Sequence, residues 1–234
     1  MKHSQFINKI KLTEKDFDEI AQKIKSVEEK TSGEIAVAII NESSTYAFWE
    51  LLASLGTAII LLCSSLPLAP QISAWLSRIF WTENSIHLLG FYFIMCMLCV
   101  LFLYFLFNIP FFDRLIIPPQ AKNSAVTNRA LRYFTESGVY CTKENSGILV
   151  FVSYFERQVR IIADKGISEK ISQDLWNLIA DEMTESLAKN KVKEAYINAI
   201  ERCGELLQEH VPCDKENENE LGDSLVVLEA DKWV

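Results

Sequence analysis

Charged residues are absent from two long stretches of this chain. No Asp, Glu, Lys or Arg occurs from Leu51 to Ser77, and none occurs from Asn84 to Phe112. A helix that spans a bilayer needs roughly 20 mostly apolar residues, so each stretch is long enough for one span. Because 50% of all residues are hydrophobic, the composition also favours a membrane protein. We therefore predict a hairpin of two transmembrane helices, at about residues 48–68 and 86–108.

The sequence also lacks the short motifs of common phosphate chemistries. It contains no Gly-rich phosphate-binding loop and no Cys-x5-Arg loop. Basic residues are not clustered, and the net charge of −8 would repel a nucleic-acid backbone. We therefore predict no nucleic-acid partner, and the motifs by themselves do not indicate an enzyme.

The six cysteines do not have the spacing of a disulfide framework. Cys63, Cys96 and Cys99 lie inside the apolar stretches, and the other three are irregularly spaced. This usage is typical of a reducing compartment.

Hydrophobic periodicity predicts one small α/β domain, whose two parts precede and follow the hairpin in the chain. A helix begins at Thr13 with Asp16 in the capping-box position, and a buried strand follows at Glu34–Ile40. After the hairpin come a helix at 124–137, strands at 148–153 and 159–163, a helix capped by Ser168, and a helix that ends before Pro212. The predicted fold class is α/β, a small sheet of three or more strands flanked by helices and interrupted by a two-helix transmembrane hairpin.

The predicted domain boundaries follow from this order. Residues 1–45 hold the first helix and strand, 46–110 the hairpin, 111–213 the remainder of the domain, and 214–234 an acidic tail. Between the spans, the predicted loop at 67–86 has Arg78 as its single basic residue, whereas both outer flanks carry several Lys and Arg residues. By the positive-inside rule, both termini are expected in the cytoplasm.

Several runs of residues, taken in order, resemble the TPM domain family. They are Lys30–Val37, Ser146–Ser153, Glu156-Arg157, Ala163–Ile167, and Asn219-Glu220-Leu221 followed by Asp223. The family takes its name from a thylakoid lumen protein, a photosystem II repair protein and a receptor-modulating membrane protein. The chain is most similar to a bacterial branch with a membrane hairpin after the first strand.

The resemblance implies a multi-pass protein of the bacterial inner (cytoplasmic) membrane, with both termini cytoplasmic. Members of the TPM domain family are linked to weak acid phosphatase activity and to the assembly, repair or modulation of membrane complexes. Better-known members place an acidic residue just before the Thr-Gly turn, where this chain has Lys30. The catalytic residues therefore remain unassigned.

Four residues are candidates for a functional site. Asp164, Glu34 and Glu156 are oxygen ligands that could hold a divalent cation such as calcium if they converge. Alternatively, Asp164 caps the helix that follows it. Arg157 is a candidate partner-binding residue in the turn between the last two strands, where the alternative is a solvated turn.

Two functions follow from these observations. The first is a membrane-anchored accessory, assembly or modulatory factor that binds the lipid bilayer and a membrane-protein partner. The alternative is a weak, divalent-metal-dependent phosphohydrolase that uses Asp164 with Glu34 or Glu156.

Overall fold

A computed structural model describes residues 2–81, 85–142, 144–212 and 220–229. The chain divides into two compact units. The first, which we call the soluble unit, comprises Met1–Ser44 and Lys122–Val234, and the second, the apolar unit, comprises Thr45–Ala121.

The described residues form helices and strands on both sides of the apolar stretches. In chain order they are α1 (Lys2–Ile10), α2 (Glu14–Glu28), β1 (Glu34–Ile40), α3 (Ala47–Ser65), α4 (Ala69–Phe80), α5 (Ser85–Phe107), α6 (Pro110–Ile116), α7 (Pro119–Glu136), β2 (Gly147–Ser153), β3 (Gln158–Ala163), α8 (Lys165–Ser168), α9 (Gln173–Ala188), α10 (Val192–His210) and β4 (Leu225–Leu228).

The soluble unit contains a four-stranded mixed sheet of order β3-β2-β1-β4. β1 is parallel to both β2 and β4, and β2 is antiparallel to β3. The predicted fold class is confirmed, since the sheet is flanked by helices. Part of the predicted acidic tail belongs to this sheet, because Leu225–Leu228 pairs with Val37–Ile40 as an edge strand. Residues 214–219 and 230–234 of that tail lie outside the described residues.

Helices cover both faces of the sheet, since successive strand residues point to opposite sides. From β1, Val37 and Ile39 pack into a core with α2, α9 and α10. Ala38 and Ile40 pack into a second core with α7. All seven residues of β2 are buried, as expected for a central strand covered on both faces.

Capping residues mark the starts of α2 and α9, and one of the two predicted caps differs from the structure. The predicted capping box of α2 is confirmed: the Thr13 side chain accepts from the Asp16 N–H, and the Asp16 side chain accepts from the Thr13 N–H. The prediction that Ser168 caps the long helix after β3 is wrong. Ser168 is the last residue of the short helix α8, and Ser172 is the N-cap of α9. The Ser168 hydroxyl donates to the carbonyls of Ala163 and Asp164, so it does not accept from a helix N–H.

The apolar unit contains two helical segments that are long and apolar enough to cross a membrane, Ala47–Phe80 and Ser85–Phe107. The first consists of α3 and α4 joined by a short 3-10 turn at Leu66–Leu68. α3 and α5 pack together, and the Asn108 side chain donates to the Glu50 carboxylate at 3.2 Å. The segment 67–86, which the sequence predicted as a loop, is mostly helical, because α4 occupies residues 69–80.

Candidate functional site

Among the residues that the structure describes, β3 has β2 as its single strand neighbour, so its other side is an open edge of the sheet. The Asp164 N–H donates to the Gly147 carbonyl at 2.8 Å. Because hydrogen-bonded and non-hydrogen-bonded pairs alternate along an antiparallel ladder, the backbone groups of Val159 and Ile161 point away from β2. They face the open edge.

Helix α9 packs beside this edge and leaves a groove with a volume of about 460 Å³. We call it the edge groove. Its β3 side includes Val159 and Ile161, and its α9 side includes Asn177, Asp181 and Thr184. A groove of this size falls in the range of roughly 300–1,000 Å³ that is typical of ligand sites.

The α9 wall of the groove is polar because of helical periodicity. Residues 173, 177, 181 and 184 recur at three- or four-residue spacing, so they share one face of the helix. Trp176, Ile179 and Met183 lie on another face and are buried in the core. The helix thus contributes amides, a hydroxyl and a carboxylate to the groove. The exposed Leu175 and Leu178 lie on other faces of α9 and are not among the groove-lining residues.

Arg157, the predicted partner-binding residue, lies in the turn between β2 and β3 and lines the edge groove. Its φ of 53° is left-handed, which is uncommon for a residue with a side chain. The side chain is exposed and forms no ion pair within the described part of the chain. Its role in binding remains a prediction, but its position is at the wall of a groove.

Arg160 also lines the groove and is held by neutral oxygen atoms. Its guanidinium donates to Thr127 Oγ1 at 3.3 Å, to Gln158 Oε1 at 3.0 Å, to the Val159 carbonyl at 2.7 Å and to Asn123 Oδ1. Burial lowers the pKa of this guanidinium, although an arginine keeps its charge at any physiological pH. Among the described residues, no carboxylate pairs with Arg160.

The three predicted metal ligands lie at two different ends of the sheet. Glu34 begins β1 and is paired with Gly147, whereas Asp164 follows β3 and donates its N–H to the same Gly147. Glu156 lies in the β2–β3 turn, at the opposite end of these strands. A seven-residue strand is about 20 Å long, so Glu156 does not join Glu34 and Asp164 in one site.

Glu156 is buried, and its hydrogen bonds join the β2–β3 turn to the segment that follows β1. Its carboxylate accepts from the Ser43 N–H at 2.9 Å and from the Ser153 hydroxyl. The hydroxyls of Ser43 and Ser153 are 2.7 Å apart. These hydrogen bonds use both carboxylate oxygens of Glu156.

Asp164 shows the capping role that the sequence left as an alternative. Its Oδ1 accepts from the Lys165 N–H at 2.6 Å, and it is the N-cap of α8. Its Oδ2 is buried and has no hydrogen-bond partner among the described residues. A Cβ placed on Gly166 would lie 2.6 Å from the Glu144 carbonyl oxygen and 2.8 Å from that of Asn145. Two backbone carbonyls therefore crowd the chain two residues after Asp164.

Glu34 is 1% exposed and contacts the tail segment. Its Oε2 accepts from the Leu221 N–H at 3.3 Å. Over the described ranges, no group of three or more His, Cys, Asp or Glu side chains has an arrangement that could hold a metal ion. Cation binding by Glu34 and Asp164 therefore remains a prediction.

Glu28 is a buried acidic residue that sequence reasoning missed. Its carboxylate accepts from the Ile35 N–H at 2.8 Å. Burial raises the pKa of Glu28 to about 8, and the nearby charges of Glu34 and Asp223 act in the same direction. The sequence carries no signal for this contact, because Glu28 ends an amphipathic helix and Asp223 is remote along the chain.

The raised pKa of Glu28 predicts that the soluble unit loses stability as the pH increases. Glu28 holds its proton up to about pH 8 when folded, and the reference value for the unfolded chain is 4.5. Between these values the folded state binds more protons, so the free energy of unfolding should fall with rising pH and level off above 8. Denaturant unfolding of the full chain in detergent, repeated at several pH values between these two, measures how steeply the free energy of unfolding falls.

Glu28→Gln should flatten this dependence, because the amide stays neutral and can still accept from the Ile35 N–H. A Gln variant whose stability declines with the wild-type slope would assign the titration to another group.

Comparisons with known proteins agree with the fold. Residues 114–206 match the family model described as the TPM domain. No curated protein matches the chain. The NMR structure of BA42 protein from the psychrophilic bacterium Bizionia argentinensis is similar, with a TM-score of 0.54 and 18% identity over 93% of this chain and 95% of that one. At this identity the similarity shows a shared fold. The resemblance to the TPM domain family is therefore confirmed over residues 114–206.

Proposed function

We propose that this protein is a membrane-anchored accessory factor whose TPM domain binds a membrane-protein partner and assists its assembly, maintenance or modulation. The observation that carries the proposal is the edge groove, which combines strand backbone that faces away from β2 with Arg157, a cation that forms no ion pair within the described residues. Glu34 and Glu156, by contrast, accept hydrogen bonds from backbone N–H groups, which is a structural use of a carboxylate. The groove therefore favours recognition over catalysis.

The membrane anchor in this proposal is the apolar unit. Many of its large apolar side chains are exposed, among them Leu89, Phe93 and Phe105 at 74%, 68% and 67%. Surfaces of this kind are stable against lipid chains and not against water. We place the protein in the bacterial cytoplasmic membrane, with the soluble unit in the cytoplasm.

This placement predicts opposite sides for the inter-helix segment and the C-terminus. Reporters of cytoplasmic and external location, fused near Arg78 and after Val234, should report outside and inside respectively. The physical reason is that basic residues are sparse between the spans and frequent on both outer flanks. A shared side for the two reporters would contradict the hairpin topology.

Isolation from native membranes tests the accessory function. The full chain, tagged and expressed at its natural level, should co-purify in mild detergent with one membrane protein at constant stoichiometry. The same chain with its soluble unit removed serves as the control and should retain no partner. Purification of the wild-type chain as a lone species in several mild detergents, with or without prior crosslinking, would overturn the proposal.

A second function, divalent-metal-dependent phosphohydrolysis, is favoured by one observation. Asp164 Oδ2 is a buried carboxylate oxygen that accepts no hydrogen bond from the described part of the chain, and backbone carbonyls lie close to the neighbouring Gly166. Carboxylate and carbonyl oxygens are the ligands that calcium prefers. Asp164, with Glu34 at the same end of the sheet, would hold the cation that polarises a phosphate ester.

Phosphatase turnover by the full chain, with and without added calcium or magnesium, tests this second function. Activity should require the cation and should fall at least about tenfold in Asp164→Asn, since loss of even an outer-shell partner costs a metal site about 10–100-fold. Asp174→Asn is the matched control, because Asp174 is an exposed residue in the first turn of α9. Equal turnover in the wild type and in Asp164→Asn would remove this function from the site.

A further inference from the structure

We infer that the edge groove binds an extended segment of the partner, which adds to β3 as a further strand and places an acidic side chain against Arg157. The inference rests on the proposed function, since it names the surface and the chemistry by which the partner is recognised. It commits to an acidic, extended polypeptide as the occupant.

The backbone of β3 is arranged to accept an added strand. Val159 and Ile161 turn their N–H and C=O groups toward the open edge, which is the arrangement that accepts an added strand. The far end of the edge is closed, because the Ser168 hydroxyl donates to the Ala163 carbonyl. The open part therefore matches a short segment, and the groove lies along this part, from Arg157 to Ile161.

The edge groove carries a surplus of positive charge. Two arginines line the groove, and neither pairs with a carboxylate in the part of the chain that the structure describes. Asp181 is the one acidic residue among the groove-lining positions. The local surplus of positive charge contrasts with the net charge of −8 for the chain, so it attracts an acidic segment. An acidic side chain at Arg157 would form a charge-assisted hydrogen bond, which is stronger than a neutral one.

Arg160 couples charge recognition to backbone pairing, because it covers one of the carbonyls at the open edge of β3. Its guanidinium donates to the Val159 carbonyl at 2.7 Å. A carboxylate on the incoming segment is a better acceptor than that neutral carbonyl, so it would draw the guanidinium away. The freed Val159 carbonyl can then accept an N–H from the added strand. Acidic side chains and backbone pairing thus support each other.

The groove also offers apolar contact. Ile161 of β3 and Ala180 of α9 are among the residues that line it. Side chains of a strand alternate between its two faces, so a segment with alternating acidic and aliphatic residues directs one type to the arginines and the other toward α9.

Peptide binding to the full chain in lipid nanodiscs tests this inference. The probe is a fluorescein-labelled hexapeptide of alternating glutamate and valine, compared with a lysine–valine peptide and with a glutamate–valine peptide whose backbone is N-methylated. Fluorescence anisotropy should give at least about tenfold tighter binding for the glutamate peptide than for the lysine peptide. N-methylation should remove binding, because an added strand needs its backbone N–H groups.

Arg157→Glu should reverse the preference between the glutamate and lysine peptides. Lys15→Glu is the matched control, since Lys15 is an exposed cation of α2 outside the groove and the charge change is identical. Thermal melting of both variants verifies that they fold. Equal binding of the three peptides, or an unchanged preference in Arg157→Glu, would overturn the inference.

Partner capture separates this inference from the proposed function. Loss of the partner from the Arg157→Glu chain, with retention by Lys15→Glu, is the expected result. Undiminished capture by Arg157→Glu would overturn the groove assignment and leave the accessory function standing. Absence of a partner from the wild-type chain would overturn the accessory function itself.

Discussion

A fragment that begins at Lys122 should fail to unfold cooperatively, whereas the same fragment preceded by residues 1–44 should unfold in a single transition. The reason is that β1 is a central strand, paired with β2 over seven residues and with β4 over four. Without it, β2 and β4 lose their shared neighbour, and the apolar residues of both cores become exposed.

The comparison requires a chain in which Ser44 is joined to Lys122 through a short Gly/Ser linker. The junction follows Ser44 because the Ser43 N–H and hydroxyl contact Glu156 and Ser153, and a shorter N-terminal part would lose these hydrogen bonds. Closing a loop costs little free energy and depends weakly on its length, so the linker should be tolerated. Thermal melting and amide exchange compare the two chains. Equal stability would mean that the N-terminal part is not integral to the sheet.

Gly147→Ala should cause the largest loss of stability of any glycine substitution in the soluble unit. A Cβ at this position would lie 2.1 Å from the Val139 carbonyl oxygen and 2.7 Å from Val139 Cγ1. Both the glycine and Val139 are buried, and the nearest atom is backbone, so the clash cannot be relieved by rotating a side chain. Overpacking typically costs about 1–3 kcal/mol, and a clash with backbone should lie at the upper end of that range.

Gly222→Ala is the matched control, because a Cβ there meets no atom within 4 Å. Denaturant unfolding of the joined domain should show a large decrease in midpoint for Gly147→Ala and a small change for Gly222→Ala. Equal midpoints for the two variants would show that the strand start can shift to accept a methyl group.

Local patterns were sufficient for most of the helices and for three of the four strands. The capping box at Thr13 and the apolar run Glu34–Ile40 each depend on neighbouring residues, and both appear at the predicted positions. The two uncharged stretches likewise coincide with helices long enough to span a bilayer. The start of α9 was misplaced, because Ser168 and Ser172 have equal capping chemistry and the tertiary contacts of α8 decide between them.

The candidate site was much less predictable. Arg157 was correctly placed in a turn, but its position beside a groove depends on β3 being an edge strand, which is a property of the whole sheet. Glu156 has the same local sequence context, yet it is buried by Ser43, a residue from the other side of the insertion. A carboxylate in a turn is solvated by default, and only a remote partner can change that.

The amino-acid sequence by itself determined which segments are apolar and which of them form helices or strands, because these properties arise from residues close together in the chain. The tertiary structure alone decided that Leu225–Leu228 completes the sheet, that Glu28 lies beside Glu34 and Asp223, and that the β3 edge and α9 enclose a groove. Each of these depends on contacts between residues far apart in sequence, whose free energies appear only when the chain has folded.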